Sequence, residues 1–325
     1  MKILYQKEKD GILILRCFGW QGLVELPSRI EDMPVVAIGP YAFSDREDIK
    51  EVACLYEEKA SIEDEEFSQK ELTGERVEEI IFPSTLKRVG KYAFYGCRNL
   101  KRLRFSNNFT DIGQGAFTGC RGLSLLEIDC KKDFSSSLGE VLGHLSGEIR
   151  VRFFGEENKS ELMLFFPEIY EDAAENTPAR IISTHYYGSG ESFRQCFYDK
   201  QIDFKKYDSL FYMAKAVEKI ETIIELASYR LIYPIGLVEK AKEEYIVYFR
   251  EKAKEVLAYA IAKDWQELLL LYSSHRLYTK DNLDFCIEEV FRQEKNWLLS
   301  FFMEEKEKLE EEFLPSLEKR KRFRL

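Results

Sequence analysis

The stretch VGKYAFYGC at residues 89–97 returns 23 positions later as IGQGAFTGC at residues 112–120. An earlier copy, IGPYAFSDREDIKEV, begins at residue 38, and a degraded copy, IEDEEF, begins at residue 62. The central phenylalanines of the four copies are separated by 24, 27 and 23 residues: Phe43, Phe67, Phe94 and Phe117. A period of this size predicts a solenoid, because one coil cannot bury its own apolar side and must stack on its neighbours.

The segments that follow each copy predict the walls of the solenoid. LKRLRF (100–105) and LSLLEI (123–128) place apolar residues at alternate positions, which is the pattern of a short, half-buried strand. Gly90 and Gly113 open the turn of each unit, and we expect them to adopt a backbone conformation that other residues resist.

The apolar positions of the repeated unit predict two ladders inside the solenoid. We expect Phe94 to stack on Phe117, and Cys97 to lie above Cys120 in the next coil. The two cysteines could also be read as a redox pair or a metal clip. Free cysteines are usually buried as small apolar side chains, so we favour a packing role for both thiols.

Residues 23–130 resemble the BspA-type leucine-rich repeat. FPSTLKRVGKYAFYGCRNLKRLRF follows the consensus of that family, which runs roughly IPxxVxxIGxxAFxxCxxLxxIxI. The resemblance implies a right-handed solenoid with one sheet face and a role in protein interaction. Many members of the family are exported surface proteins, whereas the opening MKILYQKEKDGILILRCFGW has no signal-peptide pattern.

Composition narrows the classes of function. The 325 residues are 45% hydrophobic and 33% charged, which is typical of a soluble globular protein. The net charge of −10 disfavours binding to nucleic acid or to an anionic membrane. The basic tail SLEKRKRFRL (316–325) is an exception, and we interpret it as a solvated end of the chain.

The cysteines and histidines indicate neither an extracellular disulfide framework nor a metal site. Seven cysteines are an odd number without a CxxC pair, which favours reduced thiols in the cytoplasm. The three histidines lie far apart in the sequence, at 144, 185 and 275, and no pair of possible ligands has the spacing typical of zinc. We therefore expect no metal, no cofactor and no membrane partner.

After residue 130 the repeat fades. Residues 135–145 predict a short helix and residues 147–154 predict a last strand, which together would form a capping coil. FPEIYEDAAENTP (166–178) predicts a short helix that begins near Pro167 and ends before Pro178.

The segment THYYGSGESFRQCF (184–197) carries the richest mixture of polar and reactive side chains. Its candidate binding residues are His185, Tyr187, Ser189, Arg194 and Cys196. One hypothesis makes Cys196 a nucleophile with His185 as its base, and another places an anion in the turn 188–190 beside Arg194. The alternative is an ordered inter-domain loop whose polar groups bond to the backbone.

From residue 208 the apolar residues recur at helical spacing. A weak repeat at an offset of 29 pairs Ala258 with Ile287, Ile261 with Val290, Leu268 with Trp297, Leu269 with Leu298 and Tyr272 with Phe301. The paired helices that this predicts are similar to ankyrin repeats, although the TPLHxA signature is missing. Thr279 or Asp281 could cap the helix that carries Phe285 and Val290.

These observations predict an α+β chain in which a leucine-rich-repeat solenoid of short parallel strands precedes an all-α helical-repeat domain. The predicted divisions are the repeat domain over 1–155, a capping and linking segment over 156–207, and an ankyrin-like helical domain over 208–325.

The predicted function is a non-catalytic protein–protein interaction scaffold with an unknown protein partner. Arg102 and Arg104 are candidate binding residues, because they alternate with inward residues and are therefore expected to be exposed. We expect Ser124 and Glu127 to be exposed as well. The inward set would be Leu103, Phe105, Leu125 and Leu126. The alternative function is an enzyme or small-ligand binder with its site at 184–197.

Overall fold

The protein is described by a computed structural model that covers residues 1–20, 22–46, 54–57, 70–130, 134–155, 159–176 and 181–322, with the backbone alone for 57, 171–176, 181–186 and 312–322. The chain divides into two compact units, Met1–Glu218 and Lys219–Leu325. The first is built mostly of strands and the second of helices, as the α+β prediction required. None of the helices in the described ranges has the length and apolar content that crossing a bilayer requires.

The strands of the first unit form two main sheets and two further sheets of two strands each. In chain order they are β1 (Lys2–Lys7), β2 (Ile12–Phe18), β3 (Leu23–Glu25), β4 (Arg29–Ile30), β5 (Met33–Ile38), β6 (Cys54–Glu57), β7 (Glu79–Ile81), β8 (Arg88–Val89), β9 (Arg102–Ser106), β10 (Asp111–Ile112), β11 (Leu125–Asp129), β12 (Ile149–Phe154), β13 (Ser160–Phe166), β14 (Tyr170–Asn176), β15 (Ile181–Tyr187), β16 (Phe197–Tyr198) and β17 (Gln201–Ile202). One sheet has the order β13-β12-β11-β9-β7-β3, and the other has the order β10-β8-β5-β2-β1-β6, with β4 paired to β5.

The pairing within these sheets confirms a solenoid of parallel strands. Each of β3, β7, β9, β11 and β12 runs parallel to the next, and so do β2, β5, β8 and β10. Only β13 pairs antiparallel at the far end of its sheet, so the strand predicted over 147–154 is present as β12 but is not the last.

The phenylalanine ladder predicted from the repeats is present. The Phe94 ring stacks on Phe43 at a centroid distance of 4.8 Å and on Phe117 at 5.2 Å, with interplanar angles of 8° and 3°. All three rings are fully buried. The thiols complete the same interior: Cys97 Sγ donates to the Phe43 carbonyl oxygen and Cys120 Sγ to that of Phe94, both at 3.2 Å. The cysteines are therefore packing residues.

The order of the coils differs from the prediction at the degraded copy. Phe43 stacks directly on Phe94, and β5 pairs directly with β8, so no coil lies between the first and third copies of the repeated unit. Phe67 itself lies outside the described residues. The sequence between Phe43 and Phe94 is therefore longer than one coil needs, although the two rings belong to adjacent coils.

The reason for glycine at positions 90 and 113 also differs from the prediction. Neither has a positive φ. A Cβ on Gly90 would lie 2.6 Å from the backbone nitrogen of Pro40, and one on Gly113 would lie 2.4 Å from the backbone of the preceding coil. These glycines permit close approach of coils, whereas the left-handed conformation occurs later in the turn, at Gly96 (φ 77°) and Gly119 (φ 83°).

The helix expected over 166–178 is absent from the described part of that stretch, residues 166–176. This stretch instead contributes β14, which pairs antiparallel with β15 from Tyr170 opposite Tyr187 to Asn176 opposite Ile181. The Glu and Ala residues of β14 favour a helix in isolation, but pairing with a partner rich in Ile, Thr and Tyr overrides that preference. The short helix predicted within 135–145 is confirmed.

The helices of the first unit are α1 (Leu138–Leu142), α2 (Gly190–Arg194), α3 (Phe204–Ser209) and α4 (Phe211–Val217). Those of the second unit are α5 (Ile220–Ile232), α6 (Glu239–Glu251), α7 (Ala253–Ala262), α8 (Gln266–Ser274), α9 (Lys280–Arg292) and α10 (Leu299–Arg322). Thr279 caps α9, with a reciprocal hydrogen bond between the Thr279 backbone and the Asn282 side chain, which decides between the two predicted caps.

The internal repeat of the helical unit has an offset of 30 residues. Trp265 N–H and Lys295 N–H each donate at 2.9 Å to the carbonyl oxygen five residues earlier, where α7 and α9 end. This offset matches buried Leu268 with buried Leu298, whereas the predicted offset of 29 matches it with the exposed Trp297. The predicted offset was therefore wrong by one residue, and the ankyrin-like assignment stays a prediction.

Candidate functional site

The segment 184–197 folds as the end of β15, a tight turn and α2. Tyr187 ends β15 and is exposed. His185 lies on β15 opposite Asp172 in the register, and its side chain lies outside the described residues. The turn at Gly188 has a φ of 80°, which suits glycine.

The turn after β15 holds an anionic group that belongs to the chain itself. Ser189 is fully buried, and its N–H and hydroxyl donate to Glu218 Oε1 at 2.6 and 2.7 Å. A Cβ on Gly188 would lie 3.1 Å from the same oxygen. The donors of the turn predicted to hold an anion beside Arg194 are thus directed at the carboxylate of Glu218.

The Arg194 side chain connects three loops by hydrogen bonds. Its guanidinium donates to the carbonyl oxygens of Leu145 at 3.1 Å, Gly190 at 3.1 Å and Gly147 at 2.6 Å, and also to that of Pro167. Burial lowers the pKa of Arg194 to about 10. With its donors directed at backbone oxygens, this side chain has a structural role.

Cys196 is unsuited to the predicted nucleophilic role. Its side chain is fully buried, and its thiol donates to the Ser192 carbonyl oxygen at 3.5 Å. Burial raises the pKa of the thiol to about 12, so the reactive thiolate is scarcely populated near neutral pH. The polar groups of Ser189, Arg194 and Cys196 are thus directed at the protein's own atoms, which agrees with the predicted alternative of an ordered loop.

The outward side of the sheet that contains β9, β11 and β12 carries a different set of charged residues. In the register, Arg102 lies beside Leu125 and Leu125 beside Arg150, while Arg104 lies beside Glu127 and Glu127 beside Arg152. The inward positions are filled by buried apolar side chains: Leu103, Phe105, Leu126, Ile128, Val151 and Phe153. Leu125 therefore faces outward, contrary to the prediction.

Glu127 is the centre of this outward cluster. Its Oε2 accepts from Arg102 Nε at 2.9 Å and from Arg102 Nη2 at 2.6 Å, while Arg152 Nη1 lies 3.7 Å from Oε1. The Glu127 side chain is only 4% exposed, so the prediction that it is exposed is wrong. Arg102 also donates to Glu79 at 2.8 Å, and its hydrogen bonds to the two carboxylates raise the pKa of its guanidinium.

The remaining arginines of the face pack against aromatic rings. Arg104 forms a two-pronged contact with Asp129, at 2.7 Å from Nη2 and 3.1 Å from Nε, and these bonds raise the pKa of Arg104. The Arg104 guanidinium lies 4.8 Å from the centre of the Phe154 ring, and Arg152 lies 6.0 Å from it. Arg150 lies 5.4 Å from the ring of Phe165.

We name the outward residues Arg102, Arg104, Glu127, Arg150, Arg152 and Phe154 the arginine face. The sequence predicted Arg102 and Arg104 as members but missed Arg150, Arg152 and Phe154. The signal was present: RLRF in β9 and RVRF in β12 share one alternation, which places both arginine pairs on one side of parallel strands.

Comparisons with known proteins find a family match and two similar solved structures. Residues 61–137 match the family model described as "BspA type Leucine rich repeat region (6 copies)". No curated protein matches the sequence of the chain significantly. Two similar solved structures are a leucine rich cell surface protein of Faecalibacterium prausnitzii A2-165 and the leucine rich repeat protein of T. pallidum.

The first solved structure is 20% identical over 39% of this chain and 30% of its own length, with a TM-score of 0.25. The second is 19% identical over 42% of this chain and 73% of its own length, with a TM-score of 0.24. This chain thus spans less than a third of the F. prausnitzii protein. The family match and the stacked parallel coils together identify a leucine-rich-repeat region of the BspA type at residues 61–137.

Proposed function

We propose that the chain is a non-catalytic scaffold that binds a protein partner through the arginine face of its solenoid. A leucine-rich-repeat region is expected to act in protein interaction, and the arginine face is the part of this region where charged and aromatic side chains converge on an open sheet. The alternative of an enzyme or small-ligand site at 184–197 is less favoured, because Ser189, Arg194 and Cys196 are committed to internal contacts.

The observation that carries the proposal is the fixed orientation of the arginines. Carboxylates and rings hold Arg102 and Arg104 in single positions, so little side-chain freedom remains to be lost on binding. Arg152 remains accessible, since its side chain is 38% exposed. Arginine and aromatic side chains are also the residue types enriched at the energetic centres of protein interfaces.

Several finer features belong to the same proposal. We keep the division into 1–155, 156–207 and 208–325, with the helical part as a second, ankyrin-like repeat module. We also keep a cytoplasmic location, which is supported by seven free cysteines, all of them within the described residues. The net charge of −10 supports a protein partner over nucleic acid.

The test compares partner capture by three forms of the full chain. The wild type is used as bait, and its dominant bound protein is identified and quantified by mass spectrometry. We expect the double variant Arg104→Gln with Arg152→Gln to lose at least about tenfold of that protein, since charged contacts at an interface centre are worth several kcal/mol.

The matched control for this capture is Arg88→Gln. Arg88 is also a half-exposed arginine in a network, with Glu8 and Asp10, but it lies in the other sheet. Retention of the partner by Arg88→Gln and its loss from the double variant would support the proposal. Equal capture by all three forms would exclude the arginine face as the binding surface.

A further inference from the structure

A groove lies at the turn side of the coils, away from the arginine face. Its volume is about 340 Å³, and its principal lining residues are Tyr95, Arg98, Gly119, Arg121, His144 and Ser146. Two of its walls are the turns after Phe94 and Phe117, and the third is the segment that follows α1. The size is at the lower end of the range for small-molecule sites.

The two arginines of the groove occupy equivalent positions in successive coils, in the matching sequences GCRN and GCRG. Like charges at equivalent positions of adjacent coils repel each other. Ion pairs with described residues reduce this repulsion only slightly. The nearest carboxylate oxygen to Arg98 is that of Glu75 at 3.9 Å, and both side chains are about two-thirds exposed. Arg121 forms no ion pair with any residue that the structure describes.

The absence of acidic side chains from the lining is notable for this chain. Asp and Glu account for 58 of the 325 residues, yet none is among the described residues that line the groove. The groove is therefore a positive site on a protein of net charge −10, and such a concave site raises the local concentration of anions.

The backbone adds donors at the point where the stack of turns ends. In the preceding coil, Gly96 N–H donates to the Thr118 carbonyl oxygen at 3.0 Å. Gly119 is the equivalent residue of the next coil, and within the described part of the chain its N–H meets no acceptor. The Ser146 hydroxyl, on the opposite wall, likewise has no partner among the described residues.

We propose that this groove binds the phosphoryl group of a small phosphate monoester. The guanidinium groups of Arg98 and Arg121 contact the phosphoryl oxygens, and Gly119 N–H with the Ser146 hydroxyl supplies further donors. Planar guanidinium groups and backbone N–H groups in a left-handed turn are the donors that suit a tetrahedral oxyanion. The remaining volume of the groove holds the organic part of the molecule. This proposal does not depend on the partner-binding role of the arginine face.

The test is a calorimetric titration of the full chain with glycerol phosphate and, separately, with inorganic phosphate at constant ionic strength. Acetate serves as the carboxylate comparator. We expect glycerol phosphate to bind with a Kd of about 1 mM or tighter, and acetate at least about tenfold more weakly. Inorganic phosphate should bind no more tightly than glycerol phosphate.

Two substitutions make the test specific. Arg121→Gln should weaken glycerol phosphate at least about tenfold, because it removes a charged donor pair. Arg29→Gln, an exposed arginine outside the groove, should leave the Kd unchanged. Unchanged affinity in Arg121→Gln, equal affinity for acetate, or binding of inorganic phosphate without binding of the ester would each overturn the proposal. Circular dichroism checks that both variants fold.

Discussion

Truncation of the central ladder residue, Phe94→Ala, tests whether stacked rings hold the solenoid together. The Phe94 ring is fully buried between Phe43 at 4.8 Å and Phe117 at 5.2 Å. Removal of a buried Phe side chain costs about 3–5 kcal/mol. Each stacked pair adds about 0.5–1.5 kcal/mol beyond burial, and Phe94 belongs to two. We therefore expect a loss of about 5 kcal/mol in the unfolding free energy of the first unit.

Two further variants separate the stacking from the burial. Phe94→Leu keeps most of the apolar volume and loses the two stacked pairs together with the tilted contact to Phe82, so we expect it to cost about 2 kcal/mol. Tyr198→Ala removes an aromatic side chain of the same unit that is 82% exposed, and it should change stability by less than about 0.5 kcal/mol.

The assay is amide hydrogen exchange followed by mass spectrometry on peptides from residues 79–129. Exchange reports the opening free energy of the coils themselves, which matters because the chain has two compact units and two-state unfolding is not assured for such a chain. A loss below about 1 kcal/mol in Phe94→Ala, or no measurable loss in Phe94→Leu, would show that stacking between coils is not the source of stability.

Three further predictions concern charge, thiol access and capping. Arg102→Gln should lower the unfolding free energy of the first unit by about 3 kcal/mol, because it leaves the buried Glu127 carboxylate partly unpaired. Urea unfolding measures this loss, and Lys101→Gln should lower the unfolding free energy by less than about 0.5 kcal/mol, because its ion pair is exposed. Iodoacetamide should modify Cys54 alone in the native protein and all seven cysteines in denaturant, as counted by mass spectrometry; a second native adduct would contradict the burial of the others. Thr279→Ala should lower the stability of the helical unit by about 1 kcal/mol in thermal unfolding, and Lys280→Ala should not; equal effects would show that the cap contributes nothing.

The buried thiols also predict a dependence on alkaline pH. Burial raises the pKa of Cys17 and Cys120, each to about 12 in the folded state. Because the folded state then holds its protons to higher pH than the unfolded state, this contribution is complete below the unfolded pKa of about 9 and is lost as pH rises toward 12. Urea midpoints should therefore fall above about pH 9; a midpoint that stays constant up to pH 11 would contradict the burial of these thiols.

The repeats could be predicted from the sequence because many positions of each unit are fixed by one geometry. Phe94 and Cys97 recur at the spacing of the coils. The structure stacks Phe94 on Phe117 as expected, and Cys97 and Cys120 donate to equivalent carbonyl oxygens of successive coils. The role of Gly90 could not be read in the same way. A glycine that permits a positive φ and one that permits close backbone contact look alike in sequence, and only the position of Pro40 distinguishes them.

Only part of the candidate site could be predicted from the sequence, for a similar reason. Arg102 and Arg152 belong to one cluster because β9, β11 and β12 are adjacent, and adjacency across 50 residues is a property of the fold. Conversely, Arg194 and Cys196 were predicted as site residues from the chemistry of their side chains alone. The structure shows that both side chains are buried, which favours a structural role. Burial depends on tertiary contacts, and these cannot be predicted from the local sequence.

The long connection between the first coil and the rest bears on the order in which the solenoid assembles. β7, β9 and β11 join neighbours that begin 23 residues apart, whereas β3 and β7 begin 56 residues apart. Closing the longer connection costs only about 0.8 kcal/mol more in chain entropy, so its length hardly affects the native state. It does favour the short closures as the folding nucleus. We therefore expect refolding to begin around Phe117 and the first coil to dock last, with folding φ-values that fall from Phe117→Leu to Phe43→Leu.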